Sequence, residues 1–268
     1  MGVEPKILLW DIECSDFAAD YGFIFCIGYK WLHEKRVRII GVRDTSEFKK
    51  DVTDDRGVIR EFAKVMAEAD IQVTWYGEKF DERFINTRAL LNSQEPMPVI
   101  PHWDGWKTAK FKLRFQSNRL DGVSRAIPVK PGAKRELKTY IEGRHWVRAK
   151  AGYTDALEYV EKHCIADIKV LENVYLALRP FSKPTANVAK IRHPELEGCP
   201  ACGDKRLQAR GYLVTSRGRK RRFQCQECAH WFTLPMQAAT KTSTNLEVQP
   251  KGVKSEGTKP RPTKADSK

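Results

Sequence analysis

The chain has 268 residues and is 41% hydrophobic, which suffices for the core of one large domain or of two unequal ones. No segment approaches the ~18–20 consecutive apolar residues of a membrane helix, and the first residues lack the basic-then-apolar layout of a signal peptide. We therefore expect a soluble, cytoplasmic protein without a membrane partner. The net charge is +14, and residues 181–268 supply +11 of it, with 18 Lys and Arg against 7 Asp and Glu. This asymmetry favours nucleic acid as a partner, with solubility as the alternative.

Hydrophobic periodicity predicts the secondary structure of the first 180 residues. Apolar runs rich in β-branched and aromatic residues predict strands over 6–12, 23–32, 36–42 and 71–76. Apolar residues at helical spacing predict helices over 56–69, 81–91, 104–114, 118–127 and 154–178. This order indicates an α/β fold whose first three strands form an antiparallel meander.

The composition changes after residue 180. We predict a domain over 1–180, a linker over 181–198, a small cysteine module over 199–236 and a disordered basic tail over 237–268. The tail is predicted to be disordered because it has too few apolar residues to bury a core.

Two carboxylates, Asp11 and Glu13, lie at the end of the first predicted strand, in LLWDIECS. Residues two apart on a strand point to the same face. Two adjacent carboxylates repel each other unless a cation or a proton lies between them. The alternative is a strand that has run out into a solvated loop.

Further acids occur at element ends or on amphipathic helices. Asp81 follows the fourth strand, and Asp167 lies on the long helix four residues after His163, so the last two share one helix face. Four carboxylates in a cleft would require cations, and hard divalent ions with oxygen ligands satisfy that need. A pair of such ions can cleave a phosphodiester bond, and His163 could accept the proton of the attacking water.

Three segments resemble the motifs of the DEDD superfamily of 3′–5′ exonucleases. LLWDIECS is similar to the first motif, Asp-x-Glu; YGEKFD (76–81) to the second, usually Asn-Gly-x-x-Phe-Asp; and HCIAD (163–167) to the third, Tyr-Cys-x-x-Asp. The order and approximate spacing also fit, and the chain looks closest to stand-alone domains of phage and bacterial proteins that are similar to family-B DNA polymerase proofreading domains.

The resemblance implies a ribonuclease-H-like mixed sheet flanked by helices. It also implies 3′–5′ hydrolysis with two Mg²⁺ or Mn²⁺ ions held by Asp11, Glu13, Asp81 and Asp167, and substrate contacts by Tyr76 and Phe80. Tyr76 stands where the family usually has Asn. His163 stands at the tyrosine position of the third motif, whereas the histidine subgroup would place its His at Lys162. Asp104 and Asp121 are rival acids, and we interpret Asp121 as structural.

The cysteine module has the spacing C-x2-C-x22-C-x2-C, formed by Cys199, Cys202, Cys225 and Cys228. Four thiolates at this spacing indicate one structural Zn²⁺ in a zinc ribbon, with free thiols as the alternative. Gly203 would allow the turn between the ligands, and His230 is a spare ligand that four cysteines do not need.

The module is also basic, with eight Lys and Arg against two acids within 199–228. Its layout resembles the zinc ribbons of transposases and transcription proteins. Basic residues alternating with aromatics suit phosphate contact and base stacking. The predicted contact residues are Arg210, Tyr212, Arg217, Arg219, Lys220, Arg221 and Arg222.

These patterns predict a 3′–5′ exonuclease that acts on nucleic acid, with DNA bearing a free 3′ end favoured. Two alternatives stay open. One is a structure-specific endonuclease on the same fold, and the other is a nucleic-acid-binding protein without catalysis. A protein-docking role for the ribbon is also possible from the sequence alone.

Overall fold

The computed structural model describes residues 5–128, 135–192, 194–195 and 197–235. The predicted tail over 237–268 lies outside these residues. Within them, residues up to Pro235 form one compact unit.

A five-stranded mixed sheet forms the centre of the molecule, in the order β3-β2-β1-β4-β5. Strand β1 pairs antiparallel with β2 and β2 with β3, whereas β1–β4 and β4–β5 are parallel. The strands of this sheet are β1 (Ile7–Cys14), β2 (Ile24–Trp31), β3 (Arg38–Gly41), β4 (Ile71–Thr74) and β5 (His102–Asp104). The α/β class and the antiparallel meander are confirmed.

Helices cover both faces of this sheet. They are α1 (Arg56–Ala67), α2 (Asp81–Leu91), α3 (Gly105–Lys112), α4 (Leu120–Ala126), α5 (Gly143–Lys150), α6 (Thr154–Leu178) and α7 (Val188–Arg192). A second sheet of three antiparallel strands follows, with β6 (Leu207–Thr215), β7 (Gly218–Cys225) and β8 (Trp231–Pro235). Four of these elements were not predicted: α5, α7 and β5 are short, and β8 comes soon after the last cysteine pair.

Alternation along β1 explains how the two faces are filled. Trp10 packs against Phe62 of α1, with ring centroids 4.9 Å apart. Ile7 and Leu9, on the other face, belong to a buried cluster that contains Val170 of α6. Helices α1 and α6 therefore flank the sheet on opposite sides, and the odd-numbered residues of β1 face α6.

A buried carboxylate, Asp55, fixes α2 against β2. It accepts hydrogen bonds from the Ile24 amide (2.9 Å), the Arg88 guanidinium (2.9 Å) and the Asn92 amide (2.8 Å). Because this carboxylate is fully buried, the ion pair and its extra hydrogen bonds are required to offset desolvation. The network positions the helix that begins at Asp81.

The segment predicted as a linker, 181–198, contains helix α7. Val188 and Ala189 of this helix are buried, and Val188 belongs to the same cluster as Leu9. The Val188 amide donates a hydrogen bond to the Pro200 carbonyl at 3.0 Å. This segment therefore packs against both the large sheet and the start of the cysteine module.

Candidate active site and cysteine cluster

The α6-facing side of β1 ends in Asp11 and Glu13. His163 and Asp167 lie opposite them, one helical turn apart on α6. The His163 Nε2 atom is 3.8 Å from Glu13 Oε1 and 3.9 Å from Asp167 Oδ2. The two acids of β1 thus share one face, and that face meets the His163–Asp167 turn of α6.

Asp81 reaches the same place from the first turn of α2. Its Oδ1 atom accepts a hydrogen bond at 3.2 Å from the backbone amide of Ile12, the residue between the two β1 acids. The tight turn before it depends on Gly77, because a Cβ at that position would meet Thr74 Oγ1 at 2.2 Å. The structure therefore brings together all four predicted acids and the predicted histidine.

Burial and mutual repulsion govern the protonation of this cluster. Burial, followed by the charges of Asp81 and Glu13, raises the pKa of Asp11 well above its usual value. Burial also raises the pKa of Glu13 and Asp167, and that of Asp81 to about 7. These directions mean that the ionised cluster lacks sufficient countercharge from protein groups alone.

His163 is buried, and burial lowers its pKa below the usual value for histidine. The side chain is thus neutral at physiological pH and can accept a proton. Its Nδ1 atom is 2.9 Å from Thr139 Oγ1, a hydrogen bond that fixes the plane of the ring. The Nε2 atom is the one turned toward Glu13 and Asp167.

Lys138 and Thr139 are site residues that the sequence did not reveal. The Lys138 ammonium forms an ion pair with Asp167 Oδ2. Although burial lowers the pKa of Lys138, the charges of Asp167, Asp11 and Glu13 raise it above its usual value. Both residues lie outside helices and strands, so no periodicity or motif spacing placed them beside α6.

The donor set fits a hard divalent cation. The other oxygen of Asp167, Oδ1, is buried without a hydrogen-bond partner within the described part of the chain. A buried carboxylate oxygen in this state is costly, and a metal ion would satisfy it. Oxygen-rich sites of this kind suit Mg²⁺ or Mn²⁺.

A thiol also lies at this site. Oxygens of Asp11 and Glu13 and the Sγ atom of Cys164 all lie within 4.8 Å of one another. Hydrogen bonding with Cys26, together with burial, raises the pKa of Cys164 well above its usual value. The thiol is therefore protonated, and a neutral thiol is a poor ligand for a hard cation.

The two rival acids have structural roles. Asp104 caps α3 and accepts hydrogen bonds from the amides of Tyr76 (2.9 Å), Glu78 (3.3 Å) and Trp106 (3.0 Å). Asp121 pairs with Arg125, whose side chain lowers the pKa of that carboxyl. Neither carboxylate is free to join the cluster of four.

The two residues predicted to contact substrate flank the turn before α2. Tyr76 is 39% exposed and has a φ of 69°, in the left-handed region that costs a non-glycine residue about 1 kcal/mol or more. Phe80 contacts the ring of Phe17 with a centroid distance of 6.2 Å. Phe17 itself is 91% exposed, so an accessible aromatic edge lies directly before Asp81.

The four cysteines converge at the base of the second sheet. Their sulfur atoms all lie within 4.8 Å of one another, with Cys199 and Cys228 separated by 3.6 Å and Cys202 and Cys225 by 3.7 Å. A tetrahedral zinc ion with bonds of about 2.3 Å would separate its sulfur ligands by about 3.8 Å. The cluster is compatible with a zinc ion.

The turns after the two pairs are alike. The fifth residue of each, Gly203 (φ 79°) and Ala229 (φ 62°), takes the left-handed conformation. The Gly203 amide donates to the Cys199 carbonyl at 2.7 Å, and the Ala229 amide to the Cys225 carbonyl at 3.0 Å. His230 is not part of the four-sulfur group. Its Nδ1–H donates to the Pro180 carbonyl at 2.9 Å.

The β6–β7 hairpin presents the predicted basic residues to solvent. Arg219 lies over Tyr212 at 4.4 Å, and Arg222 lies over Trp231 at 5.3 Å. Trp231 was not predicted, yet it is 48% exposed and its ring is also 6.0 Å from Arg210. The exposed cationic residues of the hairpin are Arg210, Arg217, Arg219, Lys220, Arg221 and Arg222.

The sheet order, the flanking helices and the acids on β1, α2 and α6 define a ribonuclease-H-like protein. The sequence model of the RNase_H superfamily matches residues 8–179. Because this match spans more than half of the chain, the protein belongs to the RNase_H superfamily. Membership of this superfamily supports a nuclease activity in general terms.

Solved structures support the same fold. The chain is similar to the family B DNA polymerase from the hyperthermophilic archaeon Pyrobaculum calidifontis, with a TM-score of 0.50 and 14% sequence identity. The match covers 70% of this chain and 27% of the polymerase. None of the curated protein sequences compared matches this chain. Among the described residues, every helix is too short or too polar to cross a membrane.

Proposed function

We propose that this protein is a metal-dependent 3′–5′ exonuclease that acts on nucleic acid, with DNA as the favoured substrate. The observation that carries the proposal is the convergence of Asp11, Glu13, Asp81 and Asp167 at the end of β1, where Oδ1 of Asp167 is buried without a hydrogen-bond partner among the described residues. The three motifs from which these acids come resemble those of the DEDD exonucleases. The similarity to a DNA polymerase supports DNA over RNA.

In this proposal the four carboxylates hold two Mg²⁺ or Mn²⁺ ions. When bound, these ions lower the pKa of a water and stabilise the leaving oxygen of the phosphodiester bond. The raised pKa values of the carboxyl groups support the assignment, because divalent cations supply the countercharge that the protein groups do not.

His163 accepts the proton of the attacking water, or orients that water, through Nε2. Its neutral state and the hydrogen bond between Nδ1 and Thr139 support this role. Lys138 supplies a positive charge next to Asp167, and this charge is suited to a nonbridging phosphate oxygen when metal ions occupy the carboxylates.

The ribbon contributes affinity in this proposal. Its zinc is structural, and the basic β6–β7 hairpin contacts phosphates while Tyr212 and Trp231 offer faces for base stacking. Arginine side chains already lie over both rings, which brings positive charge and an aromatic surface to the same place.

The test is digestion of 5′-labelled single-stranded and double-stranded DNA and RNA by the full chain, with and without Mg²⁺ or Mn²⁺. We expect a metal-dependent ladder that shortens from the 3′ end, and no cleavage of circular single strands. Cleavage of circles would favour the endonuclease, and binding without any metal-dependent cleavage would favour the non-catalytic alternative.

The matched variants are Asp11→Asn and Asp121→Asn. Each removes one carboxylate charge, but only Asp11 belongs to the cluster of four, whereas Asp121 pairs with Arg125. We expect Asp11→Asn to lose activity by a factor of about 10³ or more, since a metal ligand is removed, and Asp121→Asn to stay within a few-fold. Equal activity of the two variants would contradict the metal assignment.

A further inference from the structure

A second basic surface lies next to the candidate active site. Residues 105–119, which comprise α3 and the segment after it, contain five Lys and Arg and no acid. Thr108 and Ala109 are the buried side of α3, so Trp106, Lys107, Lys110 and Phe111 lie on its outer side. Lys110 and Lys112 are exposed and have no carboxylate partner among the described residues.

Three aromatic side chains form a row across this surface. Tyr76 contacts Trp106 with ring centroids 5.0 Å apart, and Trp106 contacts Phe111 at 5.8 Å, both edge to face. Phe111 is 67% exposed, so folding buries little of its apolar area. Lys79 lies 5.8 Å from the centroid of the Trp106 ring. We name the row and its lysines, Lys79, Lys110 and Lys112, the α3 surface.

The α3 surface begins at the turn that precedes Asp81, and the side chain of Asp104 fixes it there. Asp104 holds the amides of both Tyr76 and Trp106 through the same oxygen, at 2.9 and 3.0 Å. Tyr76 lies five residues before Asp81, across one tight turn. The aromatic row therefore begins at the turn that positions one of the acids and extends away from it along α3.

We propose that the α3 surface binds a single-stranded segment of nucleic acid and leads it to the carboxylate cluster. This inference rests on the proposed nuclease function and adds the form of the substrate. Exposed rings stack with unpaired bases of any sequence, and unpaired lysines beside them neutralise phosphates. The bases of a duplex are stacked on each other, so they present no free faces on which the rings of this surface could stack.

The test measures binding by the full chain in calcium, which serves in place of magnesium to limit cleavage. The probes are oligo(dT), oligo(rU) and a DNA duplex of equal length, each titrated with salt. The charge variant is Lys110→Gln with Lys112→Gln, and its control is Lys49→Gln with Lys50→Gln. The control lysines are also exposed but follow β3, at the opposite edge of the sheet from β5 and α3.

We expect the Lys110/Lys112 variant to lower the salt slope for single strands by about 1.4, given about 0.7 for each lost phosphate contact. The control pair should leave the slope unchanged. Phe111→Leu, which keeps an apolar side chain without an aromatic face, should weaken single-strand binding by about tenfold, whereas Phe111→Tyr should retain it.

Three results would overturn the inference: equal losses for the two lysine pairs, unchanged binding by Phe111→Leu, or a loss for duplex as large as for single strands. Unfolding midpoints equal to wild type for all variants establish that the losses are local. Absence of metal-dependent cleavage by the wild type would refute the proposed function alone, because the binding comparison is read without cleavage.

Discussion

The ion pair between Lys138 and Asp167 predicts how stability and metal binding are linked. Asp167 is 4% exposed at its side chain and Lys138 is 30% exposed. The second oxygen of Asp167 is unpaired within the described residues. Lys138→Met would therefore leave a buried carboxylate without its main partner, and we expect the metal-free protein to be destabilised.

The size of this loss follows from the exposure of the pair. Removing one partner of a fully buried ion pair costs about 3–5 kcal/mol. Because water reaches part of Lys138, we expect about 2 kcal/mol, which corresponds to a decrease of about 4–8 °C in the unfolding midpoint for a unit of this size. Magnesium should restore most of the loss in the variant, since it supplies the missing countercharge and binds only the folded state.

The assay is thermal unfolding of wild type and Lys138→Met with and without Mg²⁺, in buffer free of chelators so that the cysteine cluster keeps its metal. Lys162→Met is the matched control, because Lys162 pairs with Glu158 on the exposed face of the same helix. That pair is exposed and screened by solvent, so its loss should leave the unfolding midpoint nearly unchanged. The reasoning is refuted if Lys138→Met is as stable as wild type without metal, or if Mg²⁺ raises both midpoints equally.

Two further predictions concern His163 and the cysteine cluster. His163→Ala should reduce the single-turnover cleavage rate by about 10²–10⁴-fold if His163 accepts the proton of the attacking water. His163→Tyr restores the residue type usual in the third motif and should retain more activity than His163→Ala. A loss of only a few-fold in His163→Ala would show that His163 is a packing residue. Cys199→Ser should lower the zinc content of the protein and its unfolding midpoint, because metal binding supplies folding free energy. We expect residues up to Pro235 to unfold in a single calorimetric transition, and two separate transitions would contradict this coupling.

The acids were predictable from the sequence because each depends on local structure. Asp11 and Glu13 share a face by the two-residue period of a strand, and His163 and Asp167 share one by the helical period. Their convergence required only that β1, α2 and α6 meet, which the order of the elements already favoured. The cysteine pairs were predictable for the same reason, since each pair lies within one tight turn.

Lys138 and Thr139 could not be found in this way. They reach the site from a segment without regular structure, so their position depends on tertiary packing and not on spacing. Trp231 was missed because it follows the last cysteine pair, where no strand was predicted. Ala229 illustrates a further limit: Gly203 signals a left-handed residue, whereas alanine at the equivalent position gives no such signal although it adopts a φ of 62°.

The cysteine module is joined to the large sheet through the segment that contains Pro180 and Ser182. His230 donates to the Pro180 carbonyl at 2.9 Å, directly after the end of α6, which carries His163 and Asp167. Two residues later, Ser182 accepts a hydrogen bond from the Trp103 indole at 2.9 Å. Trp103 precedes Asp104, the residue that holds the Tyr76 turn and caps α3.

These contacts determine what loss of the metal would change. Pro200 and Ala201, which lie between the first two cysteines, line a small cavity together with Trp103 and Tyr175. If the turns around both cysteine pairs unfolded, Trp103 and Tyr175 would lose the cover that Pro200 and Ala201 provide, and the Pro180 carbonyl would lose its donor, His230. A metal ion held by the cysteine cluster would then stabilise β5 and the end of α6 as well as the hairpin. A change in its occupancy would reach the Tyr76 turn through Trp103 and Asp104, without direct contact between that ion and the carboxylates.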